Sequence, residues 1–210
     1  MQVSPMRFLI LSSCLVVMCS CGSMYKQLQK TTGDVSSLQK FRPAFTVALY
    51  NTTVDVVGNH LSGLLLIKKM PDSTTRMVFS SEVGLKFFDF EFAADGGFKA
   101  YYVFKKMNKK SVIKTLRKDF ELLLMQHLTD NNVSIRKDSS LLYYIFPQSK
   151  GYNTYVTNAG GTELVRGERA SGNKQVVEMI MRNYINGIPD TIGFTHRNFD
   201  FTIGLKRLER

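Results

Sequence analysis

The sequence predicts a mainly β domain: a curled antiparallel sheet of about ten strands, closed by one amphipathic helix. Short runs rich in β-branched and aromatic residues recur between turn residues from Phe45 to the C-terminus, with connections too short for crossover helices. Several of these runs alternate apolar and polar residues, so one face of the sheet is strongly aromatic. A single segment has helical periodicity, and it stands between two blocks of strands.

The N-terminus comes first. Arg7 is the only charge before an apolar run from Phe8 to Met18. That length suits the core of a signal peptide and is too short to span a bilayer. Met6 serves as a start codon position as well as Met1 does. The run ends in Ser20-Cys21-Gly22, which resembles a bacterial lipobox, and Cys21 is the expected lipid-attachment residue. Cys14 and Cys19 fit the pattern less well, and an ordinary cleaved signal or an uncleaved anchor is the alternative. With attachment at Cys21, residues 1–20 leave as the signal peptide and no free thiol remains. Disulfides, thiol catalysis and cysteine-bound metal are then excluded from the mature domain. Two acyl chains give stable attachment where one is marginal.

Residues 21–40 are polar and read as a tether, with a short helix near Val35–Leu38. The domain proper is expected over 41–210. Its first block contains "AFTVALYNTTVDVV", "LSGLLLIKKM", "TTRMVFSS" and "LKFFDFEFA", the last ending at the hairpin signal Asp95-Gly96-Gly97. The second contains "SLLYYIF", "YNTYVT", "TELVRGERA", "KQVVEMIMRNY", "DTIGFTH" and "FDFTIGLKR". Phe88, Phe90 and Phe92 share one face opposite Asp89 and Glu91. Leu61–Ile67 is apolar on both faces and is expected to be covered twice. Between the blocks, "NKKSVIKTLRKDFELLLMQHL" places Val112, Ile113, Leu116, Phe120, Leu123, Leu124 and His127 on one stripe, with Asn108 as its N-cap. Such a stripe is core packing in the first instance.

The chain carries 28 Lys and Arg against 17 Asp and Glu. For an exported protein this excess points to anionic lipid headgroups or envelope polyanions, and not to nucleic acid. A basic surface that is merely solvated is the competing account. His60, His127 and His196 are scattered and lack metal-ligand spacing. There is no nucleophile elbow and no phosphate loop, and the Gly pairs in "ADGGF" and "NAGGT" open no helix. No pair of carboxylates is singled out for glycoside chemistry. Neither an enzyme nor a cofactor or metal site is expected.

A lipobox, a spacer, a strand block, an amphipathic helix and a second strand block resemble the LolA and LolB lipoprotein-carrier superfamily, most of all LolB-like outer-membrane lipoproteins. The most specific stretch is "TTRMVFSSEVGLKFFDFEF", within a resemblance that spans residues 40–207. It implies an incomplete β-barrel whose open side is closed by helices around an apolar, acyl-binding cavity. It also implies a membrane-contact loop, where Val83 before Gly84 stands in place of the family's Leu.

Two functions follow as expectations. One is a lipid-handling module, holding acyl chains or lipoproteins as cargo, with Phe88, Phe90, Leu116 and Phe120 lining its cavity. The other is a tethered interaction or structural module of the envelope. No acidic residue follows Cys21 until Asp34, so the domain is expected to face the periplasm from the outer membrane.

Overall fold

The computed structural model describes residues 24–129 and 132–208; the signal region and Cys21 lie outside the described residues. One antiparallel sheet contains thirteen strands. Their order in the chain is β1 (Gln29–Lys30), β2 (Val47–Val56), β3 (Asn59–Lys69), β4 (Thr75–Ser80), β5 (Lys86–Phe92) and β6 (Phe98–Val103). Helix α1 (Lys110–Leu123) follows. The chain then forms β7 (Ser134–Lys137), β8 (Leu141–Gln148), β9 (Gly151–Asn158), β10 (Leu164–Ser171), β11 (Lys174–Ile185), β12 (Ile188–His196) and β13 (Phe201–Arg207).

Two meanders, β2–β6 and β7–β13, are joined where the last strand pairs with β2, with Ile203 opposite Val54 and Phe201 opposite Val56. The sheet stays open, with β1 and β6 as its edges. The ten strands legible in sequence are all present, and the three beyond that count are β1, β6 and β7. Strand β1 has two residues and β7 four, too short for a period to register, while most of edge strand β6 is exposed and its pattern does not alternate.

The curl can be read from one ring. Phe120 of α1 lies 5.7 Å from Phe88 and 6.2 Å from Phe92 of β5, and 6.4 Å from Phe194 of β12. Four strands separate β5 from β12. In a flat sheet at ~4.8 Å per strand they would stand roughly 24 Å apart. One side chain reaches both because the sheet wraps around α1. The helix lies in the hollow of the sheet and does not close it as a last stave.

Four local expectations are corrected. The α-helix ends at Leu123, and Met125 adopts a left-handed φ of 49°, so Gln126–Thr129, including His127, forms a separate 3-10 turn. Asn108 is not the N-cap: it is the C-cap of a 3-10 turn, Lys105–Met107, its N–H donating to the Lys105 carbonyl, and Lys109 caps α1 without a side-chain bond. The outer face of β3 has no second layer. Leu64 and Leu66 are half-buried there, Leu66 between its cross-strand neighbours Leu49 and Val78 and Leu64 between Asn51 and Ser80. Finally, residues 24–41 are built into the domain. Tyr25 and Leu38 are buried, the Tyr25 hydroxyl donates to Glu168 at 2.7 Å, and Arg136 donates to the carbonyls of Lys26 and Leu28. A few apolar residues in a polar stretch suffice to pack it down.

Candidate functional site: an apolar cavity beside a basic pocket

Alternation along β2, β3, β4, β5 and β13 turns Val54, Leu65, Phe79, Phe88, Phe201 and Ile203 toward the hollow. Helix α1 presents Phe120 to the same space and, from its N-terminal half, Val112 and Leu116. The two surfaces do not meet over this half of the helix. They enclose a cavity of about 480 Å³, within the range of small-molecule sites. Its lining is overwhelmingly apolar, and the only charged side chains on it are Lys106 and Lys109, at the start of α1.

Of the residues expected here, Phe88, Leu116 and Phe120 lie on the cavity wall. Phe90 is fully buried one layer along the strand, stacked on Phe88 at 4.5 Å and edge-on to Phe98 at 5.2 Å. Its ring supports the wall without facing the space.

The cavity reaches the surface at the end of the sheet formed by the β2–β3 turn, the β12–β13 loop and the Phe104–Lys109 link into α1. Apolar side chains stand exposed there: Val57 at 68% and Phe199 at 40%. The β4–β5 loop is on the same end, and its tip residue Val83 is 93% exposed. Gly84 makes that turn possible with φ 85°, its N–H donating to the Ser81 carbonyl at 3.0 Å. Val57 is held at φ 46°, a conformation in which a β-branched residue is an outlier.

What holds α1 over the sheet was not legible in the sequence. Asp119, fully buried, accepts from Arg169 of β10 at 2.7 Å, and its other oxygen lies 3.0 Å from His196 Nε2 of β12. The Tyr155 hydroxyl of β9 donates to the Leu122 carbonyl at 2.9 Å, and Arg117 and Gln126 donate to carbonyls of the β5–β6 hairpin loop. One signal was available: Asp119 is three residues after Leu116 and four before Leu123, so helical spacing alone puts an acid beside the apolar stripe. Its partners are distant in sequence and could not be paired with it.

A second pocket, of about 260 Å³, adjoins this fastening. Lys114, Lys118, Lys150 and Arg169 line it, together with Ser171 and Asn198. Thr115 and Phe199 belong to the walls of both spaces. Burial, and then the charges of Arg169 and Lys114, hold the Lys118 ammonium below its usual range. Burial likewise lowers Arg169, against the pull of Asp119. Among the described residues, no group of three or more His, Cys, Asp or Glu is placed to hold a metal ion.

No protein-family model and no curated protein sequence matches the chain. Among solved structures it is similar to a DUF1329 family protein from Desulfovibrio piger, with a TM-score of 0.48 at 11% identity, over 83% of this chain and 88% of that one. It is also similar to a domain from Vibrio parahaemolyticus provisionally named an outer membrane lipoprotein-sorting protein, with a TM-score of 0.44 at 9% identity, over 83% of this chain and 90% of the other.

Proposed function

We propose that this protein is a lipid-anchored envelope protein that holds an acyl chain between its curled sheet and α1, in the service of lipid or lipoprotein transfer to the outer membrane. The observation that carries the reading is the 480 Å³ apolar cavity open at one end of the sheet. An apolar space of that size, left between two otherwise well-packed surfaces, suits an apolar guest. The lipobox at Ser20-Cys21-Gly22 supports attachment through Cys21, and the lack of acid before Asp34 supports a periplasm-facing position. In this reading the half-barrel of the lipoprotein carriers is the working architecture, Val83 touches the membrane, and the protein catalyses no reaction and needs no cofactor. Its partners are the membrane and acylated cargo; nucleic acid is not one.

A specific observation favours the second reading, a tethered interaction module. Edge strand β6 has an unpaired side and presents Tyr101 and Tyr102 half-exposed on it, a surface on which another chain could add a strand.

Native mass spectrometry of protein purified from membranes separates the two. The acyl-binding reading expects a bound mass of an acyl lipid beyond the covalent anchor, or its uptake from added lipid. A protein that stays bare in both cases leaves the interaction module.

A further inference from the structure

We infer that the basic pocket is the headgroup half of the same site, so that the ligand is an anionic amphiphile: a phosphate-bearing head among Lys114, Lys118, Lys150 and Arg169, with its acyl chain in the neighbouring cavity. The inference rests on the acyl-chain reading and adds the chemical class of the ligand.

Charge in the pocket is unbalanced. Four cations line it, and Asp119, the carboxylate paired with Arg169, has both oxygens engaged, one by Arg169 and one by His196. Glu121, two residues further along α1, pairs with Arg117 at 2.5 Å and offsets the cations Lys118 and Arg169 only in part. Among the described residues no carboxylate pairs with Lys114, Lys118 or Lys150. Lys118 is half-buried, and burial first, then the charges of Arg169 and Lys114, hold its ammonium low, while Lys114 and Lys150 reach the pocket from its exposed rim. Arg169 adds an unmet donor: Nη2 serves Asp119, while its Nε is buried without a partner. A phosphate supplies several acceptor oxygens and the charge that offsets these cations. Ser171 and Asn198 stand at the same wall as neutral hydrogen-bonding groups.

Continuity with the apolar cavity sets the ligand apart from a free anion. Thr115 and Phe199 are the shared walls, one on α1 and one in the β12–β13 loop. The Phe199 ring stacks on Phe201, inside the cavity, at 5.5 Å and lies 4.9 Å from His196, inside the pocket. A chain lying past Phe199 would therefore have its apolar end among Phe88, Leu116 and Phe120 and its head among the lysines.

The test uses the full chain carrying Cys21→Ala, which cannot be acylated, and measures affinity for three probes. These are palmitoyl lysophosphatidic acid, 1-monopalmitoylglycerol, which has the same chain and glycerol but no phosphate, and inorganic phosphate. The inference expects the lysophosphatidic acid to bind at least about ten-fold more tightly than the phosphate-free lipid, as befits charge-assisted hydrogen bonds. It expects phosphate alone to compete only weakly. Lys118→Met with Lys150→Met, which keeps the aliphatic stems, should cut the preference for the lysophosphatidic acid by at least about three-fold, and a preference unmoved by the double substitution overturns the headgroup assignment. Equal binding of the two lipids by the unsubstituted pocket overturns the headgroup assignment while acyl binding stands. Tight binding of phosphate with no gain from the chain overturns it in favour of a free-anion site. Binding of neither lipid removes the acyl-chain reading itself.

Discussion

Replacing Asp119 with alanine should weaken the domain more than any other single change at its surface-to-helix fastening. The side chain is fully buried and serves two cationic or hydrogen-bonding partners from different strands, Arg169 and His196. Its removal strips no large volume from the core. It leaves the Arg169 guanidinium, 13% exposed, without its carboxylate. Breaking a buried pair from one side costs about 3–5 kcal/mol, because the remaining group is desolvated and unpaired. A domain of this size has roughly 5–15 kcal/mol in all, so the variant should fold but with little margin. With a urea m-value of about 2 kcal/mol/M, the midpoint should fall by about 1.5–2.5 M. Urea melts followed by far-UV circular dichroism measure it directly. A double-mutant cycle with Arg169→Ala should return a coupling of about 1–3 kcal/mol. A midpoint shift below about 0.5 M, or a coupling near zero, would refute the view that this cluster fastens α1 to the sheet.

Other outcomes follow from the same geometry. Val57→Asn should stabilise the domain by roughly 1 kcal/mol, since Asn accepts the left-handed conformation that Val is forced into; thermal melts check it. Burial alone would raise the Asp89 carboxyl, but hydrogen bonds from Arg76 and Lys86 outweigh it and hold the group below its ordinary range. A depressed folded-state value gives stability that is present above the unfolded value of about 3.9 and is lost as pH falls through the folded one. Asp89→Asn should therefore flatten the fall in urea midpoint on going from pH 7 to below about pH 4. Cys21→Ala should yield a chain without acyl mass that is either left as the uncleaved precursor or released as a soluble form, which mass spectrometry and fractionation of cells report.

The strands with a clear period were legible in sequence, because alternation that buries one face must be written into consecutive residues. Phe88, Phe90 and Phe92 are an example: all three are buried on the expected face. Alternation fixes a face but not a depth. Phe88 reaches the cavity and Phe90 stops one layer away, a difference set by where α1 crosses the sheet. The helix end was misread for a related reason. Leu124 is buried and so continues the apolar stripe, but Met125 turns left-handed and starts a new direction. The polarity of residues 21–40 predicts a tether, yet Tyr25 and Leu38 are enough to pin its described part, from residue 24 onward. The basic pocket was beyond reach, since its lysines and Arg169 come from α1, the β8–β9 turn and β10, and only the curl of the sheet assembles them.

If the cavity between sheet and helix takes an acyl chain, affinity must depend on the length of that chain. Titration calorimetry with a series of single-chain amphiphiles of one headgroup, from eight to eighteen carbons, against the Cys21→Ala chain gives that dependence. Each methylene buried contributes about 0.8 kcal/mol, or roughly four-fold in affinity, and the gain should stop once the 480 Å³ are filled. Leu116→Trp, which adds bulk on the cavity wall, should bring that plateau to a shorter chain. Affinity that ignores chain length, or a plateau unmoved by Leu116→Trp, would contradict the account.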